Sequence, residues 1–208
     1  MATLFEPLDL GRLTLPNRVT MAALTRSRAG RDGIPTQLHE TYYSQRASLG
    51  LIVTEGVFPA VRCRTFPGQA GIETSEQIAG WRRVADSVHE AGGRIFMQVM
   101  NGGRLSHASL QEGAEPVAPS AVASGTAMRD FESRKECPVP RALDSSELPG
   151  IVDQFRQAAR NASDAGLDGV EIHGANGYLL HQFLSPNSNH REDDYGLSLI
   201  HISEPTRR

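Results

Sequence analysis

With 208 residues, 39% of them hydrophobic and 22% charged, the chain has the makeup of a globular domain with its own core, which excludes fibrous and disordered classes. A formal net charge of -3, with acidic and basic residues interspersed, leaves no basic stripe for a phosphate backbone and argues against nucleic acid as a partner. Cys63 and Cys137 fit neither zinc nor C-x-x-C spacing, and there is no basic-then-apolar leader and no apolar run of about 18 residues, so a cytoplasmic protein without membrane or metal is expected.

Residues 8–15, L-D-L-G-R-L-T-L, alternate apolar and polar about Gly11 and Arg12 and read as a small hairpin. A first core strand follows over residues 18–22 and runs into Ala23, Leu24, Thr25 and Arg26. Next come a glycine-containing loop over 29–35 and a helix over 36–47. From there a rhythm sets in. Ala47-Ser48-Leu49-Gly50 leads into a strand over 51–54, Glu90-Ala91-Gly92-Gly93 into 94–97, and Asp164-Ala165-Gly166 into 169–172. Each is a helix end with glycine available for a left-handed cap, followed by a short apolar run.

Helices fit between these runs. Residues 75–90 carry Ile78, Trp81, Val84, Ala85 and Val88 at three- and four-residue spacing, and residues 148–165 carry Ile151, Val152, Phe155, Ala158, Ala159 and Ala162. Ser75 and Ser145 are the expected N-caps, and Trp81 is expected in the core. Successive β-α units imply a parallel sheet, either a closed (β/α)8 barrel or an open doubly wound sheet. No G-x-G-x-x-G follows any strand, which favours the α/β class of the (β/α)8 TIM barrel, with four of its strands near residues 20, 52, 96 and 171. Residues 105–144, rich in Pro, Ala, Ser and Gly with little periodicity, follow a strand's carboxyl end and are expected to overhang the active face as a lid.

The chemistry concentrates in residues 168–183, D-G-V-E-I-H-G-A-N-G-Y-L-L-H-Q-F. His173, Asn176 and Tyr178 arrive together at the end of a short strand, where α/β folds place reactive groups. An imidazole and an amide three positions apart can aim two N–H donors at one oxygen, and the phenol can supply a proton beside it. A lone strand-end histidine is ordinarily a satisfied structural residue. Three polar groups in one glycine-punctuated exit would each need a buried partner, which favours an oxygen-binding, proton-donating site.

Five stretches carry a family resemblance: L-P-N-R-V-T-M-A-A-L-T-R-S-R (15–28), Y-Y-S-Q-R-A-S-L-G-L-I-V-T-E-G (42–56), M-Q-V-M-N-G-G-R-L-S-H (97–107), P-R-A-L (140–143) and the run from Asp168 through Y-G at 195–196. The chain closely resembles the old yellow enzyme family of flavin mononucleotide (FMN) dependent ene-reductases, especially bacterial members acting on enones, nitroesters and nitro compounds. The resemblance implies that Ala23, Leu24 and Thr25 line the flavin, with the Thr25 hydroxyl near the C4 carbonyl and N5. It implies that Gly56 and Gln98 hold the pyrimidine edge, that His173 and Asn176 bind the substrate's carbonyl or nitro oxygen, and that Tyr178 is the proton donor. FMN as cofactor, NADPH or NADH as reductant, and a small molecule with an activated alkene or nitro group as substrate follow from the same likeness; the oligomeric state is left open. Ala23 stands where the family usually has proline, Thr25 where one branch has cysteine, and Met100 where nitroester-reducing relatives often carry an aromatic.

After Gly196 the family continues G-S-x-E-N-R, whereas this chain reads L-S-L-I-H-I-S-E-P-T-R-R, which resembles read-through of a sequencing-library adapter. The expected division is therefore residues 1–196 as the N-terminal half of an FMN-binding barrel domain and 197–208 as a non-native tail. A half barrel leaves two sheet edges open and lacks the later loops that usually hold a barrel's phosphate site, so the chain alone is expected to aggregate or bind FMN weakly. Three rivals stand beside the ene-reductase reading. An iron–sulfur dienoyl-thioester reductase is disfavoured by Thr25 and Tyr178; the others are a flavin-free barrel lyase or isomerase using His173 and Tyr178, and a non-catalytic fragment.

Overall fold

The computed structural model describes residues 3–197, so all of the anticipated tail except Leu197 lies outside the described residues. Strands β1 (Leu8–Leu10) and β2 (Leu13–Leu15) pair antiparallel about Gly11, whose φ of 61° is the left-handed geometry glycine adopts without strain. Leu15 packs with Leu51 and Val53, fastening this hairpin to the main sheet. That sheet begins with β3 (Thr20–Met21), two residues where a five-residue strand was anticipated.

Helix α1 (Gln37–Ser44), strand β4 (Leu51–Val57), helix α2 (Ser75–Glu90) and strand β5 (Ile95–Val99) follow in the anticipated alternation. The N-cap of α2 is Thr74 rather than Ser75. The Gln77 N–H donates to the Thr74 hydroxyl at 3.3 Å, and the Gln77 side chain accepts from the Thr74 N–H at 3.2 Å, a reciprocal box that needs glutamine three residues after the cap.

The segment 105–144 is not a bare loop. Strand β6 (Val117–Ala118) pairs parallel with β9 (Arg141–Ala142), and between them β7 (Ala127–Arg129) and β8 (Arg134–Glu136) form an antiparallel hairpin. The hairpin turn is held by Asp130, whose carboxylate accepts the N–H groups of Ser133 at 2.7 Å and Glu132 at 2.8 Å; these bonds hold its pKa down to about 2. Paired runs of two or three residues are too short to show a period of two, which is why the sequence reads as unpatterned.

Helix α3 (Leu148–Asp164) is entered through a tight turn over Ser145–Glu147, with Glu147 accepting the Asp144 N–H at 2.8 Å and Pro149 in the first turn. Asp144 caps this turn and Glu147 stands at the N-cap of α3, so Ser145 caps neither; its hydroxyl instead donates to Asp193. Strand β10 (Gly169–Ile172) and the short helix α4 (Leu179–Leu184) are the last elements among the described residues.

The four main strands lie parallel in the order β10-β5-β4-β3, so successive units are spatial neighbours, and the helices cover one face. These are consecutive strands of a (β/α)8 barrel, with β3 and β10 at the two open edges. On the helix side Ile52, Ile95, Met97 and Val99 pack against Trp81, Val84 and Val88 of α2 and Ala158 and Ala162 of α3. Trp81 is fully buried, and its indole N–H donates to the Gly71 carbonyl at 2.9 Å. No helix among the described residues is long and apolar enough to cross a membrane.

Candidate active site

Strand alternation sorts the side chains. Met97 and Val99 of β5 and Val170 of β10 turn toward the helices, so Gln98 and Glu171 between them project from the opposite face. The two are register partners on neighbouring strands, and the Gln98 amide donates to Glu171 at 2.7 Å. They stand in a cleft of about 410 Å³, whose lining also includes Ala23, Val53, His173 and Asn176.

Between Val53 and Gly56 the register of β4 against β5 shifts, a bulge that re-aims the strand end. The Thr54 hydroxyl fills part of the gap by accepting the Gln98 N–H at 3.1 Å. A Cβ on Gly56 would come within 2.1 Å of the Met100 sulfur, so a larger residue there would have to displace the Met100 side chain. The Gly56 carbonyl accepts from the Gln69 amide at 2.8 Å. Gly56 is buried under Met100 and is not among the residues lining the cleft, whereas Leu24 and Thr25 are exposed, Leu24 by 53%.

His173 is fixed by its backbone, which donates to the Val99 carbonyl at 3.0 Å, and by its ring, where Nδ1 accepts the Ala175 N–H at 3.3 Å. Accepting at Nδ1 puts the ring proton on Nε2 and leaves that nitrogen a donor. Burial lowers the His173 pKa from the ordinary value, partly opposed by Glu171, so the imidazole is neutral at neutral pH.

Asn176 has a φ of 58° and is followed by Gly177 at 79°. Two left-handed residues in succession make a strained turn, and Asn is one of the few side chains that enters this region readily. The turn is held from outside: Gly177 N–H donates to His181 at 2.8 Å, and the Gln182 amide donates to the Gly177 carbonyl at 2.7 Å. Among the described residues neither the Asn176 amide nor the Thr25 hydroxyl has a hydrogen-bond partner.

The Tyr178 ring stands edge-on to His173, centroids 4.9 Å apart, and edge-on to Phe66 at 6.4 Å. Burial raises its pKa, so the phenol keeps its proton. Tyr178 does not line the first cleft. It belongs to an adjoining cavity of about 560 Å³ with Phe66, Pro67, Leu105, Met128 and Arg129, so the β7–β8 hairpin forms a wall beside the phenol.

The structure therefore gathers Ala23, Gln98, His173 and Asn176 in one cleft, with Tyr178 in ring contact at its neighbour and Leu24, Thr25 and Gly56 outside both. Sequence reasoning missed Glu171 and Glu55. Each is a carboxylate inside an apolar strand, V-E-I and V-T-E-G, and that contrast was the available signal. Glu55 is fully buried, 3.0 Å from His39 Nε2, and accepts the Arg26 N–H at 3.0 Å, tying the segment that carries Ala23 and Thr25 to α1. Burial pushes the Cys63 thiol up to about 12, which makes it a packing residue rather than a nucleophile.

An apolar surface from Ala23 and Val53 and an amide at the edge from Gln98 suit a flat ring with carbonyl and N–H groups along one side, the chemistry of a flavin. A probable flavin mononucleotide-dependent alkene reductase of Leishmania infantum is 45% identical over 203 residues, covering 94% of this chain and 55% of that protein. The solved old yellow enzyme homologue from Zymomonas mobilis superposes with a TM-score of 0.92 at 41% identity, covering 95% of this chain and 55% of that one. Morphinone reductase in complex with tetrahydroNAD gives 0.91 at 47% identity, covering 95% and 56%. The chain spans about half the length of the curated relatives it matches. The sequence pattern of the NADH:flavin oxidoreductase / NADH oxidase family matches residues 3–200, and the chain belongs to that family.

Proposed function

We propose that these residues form the substrate-facing half of a cytoplasmic, FMN-dependent reductase that uses NADPH or NADH to reduce activated C=C bonds, as in enones and nitroalkenes, or nitro compounds and nitroesters. The observation that carries the reading is the donor pair at the end of β10: a neutral imidazole with its proton on Nε2, beside an amide with no hydrogen-bond partner among the described residues.

FMN, once bound and reduced, supplies the hydride for the β-carbon of the substrate. Ala23, Leu24 and Thr25 would line the ring, and Gln98, with Gly56 behind it, would serve its pyrimidine edge. His173 Nε2–H and the Asn176 amide donate to the carbonyl or nitro oxygen and stabilise the negative charge that develops there; losing one such donor costs about 10² to 10³ in rate. Tyr178, kept protonated by burial, delivers its proton to the α-carbon, a role worth about 10² to 10⁴.

The test is equilibrium binding of a simple phenol, whose oxygen stands in for the substrate oxygen. His173→Ala combined with Asn176→Ala should weaken binding by more than about tenfold, the scale of one hydrogen bond to a charged oxygen. An unchanged dissociation constant would contradict the oxygen-binding role.

A further inference from the structure

The cleft that gathers Gln98, His173 and Asn176 also holds a carboxylate, Glu171, to which the chemistry above gives no task. Among the described residues it forms no ion pair. Its hydrogen-bond partner is the Gln98 amide, with Nε2 donating to Glu171 Oε1 at 2.7 Å, and the two residues are register partners on β5 and β10, so the sheet itself holds them together.

A primary amide donates at one end and accepts at the other, and a half-turn about its last bond exchanges the two. An ionised carboxylate only accepts, so it admits the nitrogen and refuses the oxygen. The reversed amide would set acceptor against acceptor and forfeit a charge-assisted bond, a preference of about tenfold or more. Gln98 Oε1 is thereby turned away from Glu171. It stands on the Gly56 side, 3.3 Å from where a Cβ on that residue would lie, and among the described residues it accepts no hydrogen bond. The bond to the carboxylate also polarises the amide and makes Oε1 a stronger acceptor.

We propose that Glu171 is a positioning residue for the cofactor: by holding the nitrogen of Gln98 it fixes Oε1 as the atom offered to the ring, so that the cleft selects a ring edge carrying an N–H donor, which in a flavin is N3–H. This deepens the reading under Proposed function and rests on it for the placement of the flavin's pyrimidine edge at Gln98.

The test is fluorescence titration of the chain with FMN and with 3-methyl-FMN, which lacks the donor. The parent should bind FMN at least about tenfold more tightly than the methylated ring, because methylation leaves Oε1 without a partner. Glu171→Gln, whose own amide can meet Gln98 with either end, and Glu171→Leu, which meets it with neither, should each cut that ratio to about threefold or less, through weaker binding of FMN. Both probes carry the same phosphate, so any general gain from removing a negative charge cancels in the ratio.

A parent that binds the two flavins equally overturns this proposal alone and leaves the flavin reading standing, as do variants that keep the parent ratio or shift both affinities alike. A parent that binds neither flavin overturns the functional reading together with this one. Glu171 is exposed in the open cleft, so neither substitution empties a core, and both variants should melt with the parent. A clear drop in melting temperature would mark the carboxylate as structural and overturn the proposal. In the ligand-free chain the side-chain N–H signals of Gln98 should move on Glu171→Gln, and signals that stay in place would show that the carboxylate does not hold the amide.

Discussion

The two faces of the four-stranded sheet are built from the same short strands and do opposite work. On the helix side Ile52, Ile95, Met97 and Val99 are nearly or fully buried against α2 and α3, and that face is a finished core. On the other side the strands present Val53, Gln98 and Glu171 to an open cleft, and their carboxyl ends carry His173 and Asn176. Alternation at every second residue lets one strand serve stability and chemistry at once, and the polar face is made tolerable by internal pairing, as between Gln98 and Glu171.

If that division is right, stability should be lost by changes on the helix side and function by changes on the cleft side. The largest effect should come from Trp81→Ala, which empties a fully buried site and removes the bond to the Gly71 carbonyl; urea denaturation should show a loss of about 3–5 kcal/mol, and a loss below about 1 would break the comparison. Glu55→Ala should come next, at about 3 kcal/mol, because it leaves the His39 ring and the Arg26 N–H without their buried acceptor. Gln98→Leu, on the cleft side, should change stability by under about 1 kcal/mol yet weaken FMN binding about tenfold in fluorescence titration. Unchanged FMN affinity would remove Gln98 from the cofactor's edge.

The smallest effect is the pH dependence of His173. Its folded pKa lies below the ordinary value of 6.5, so the neutral form is favoured on folding. Above that value the group contributes no slope. As pH falls below it, the unfolded chain binds the proton first and stability declines until the folded pKa is reached. His173→Asn should flatten that part of the stability profile between pH 7 and 5, and a profile identical to the parent's would contradict burial as the cause.

Much of the helix side was legible in sequence because Trp81, Val84 and Val88 repeat at helical spacing and glycines mark the α-to-β junctions. The proximity of His173, Asn176 and Tyr178 was legible because they fall within six positions of one another. What escaped depends on partners distant in sequence. The bulge in β4 is visible only when Gly56 is paired with Gln98, and the crowding at that glycine comes from Met100. The buried role of Glu55 needs His39 and Arg26, and the hairpin within 105–144 is shorter than any recognisable period. Thr74 and Ser75 are both capable caps, and the choice between them turned on Gln77.

The central claim is that an oxygen-binding pair and a phenol complete a reduction begun by bound flavin. The most direct measurement is the rate of each half-reaction in flavin-loaded protein carrying Tyr178→Phe within a closed barrel. The account predicts that NADPH or NADH reduces the flavin at the parent rate while reoxidation by an enone slows by about 10² to 10⁴. Equal slowing of both half-reactions, or a protein that takes up no flavin colour at all, would contradict it.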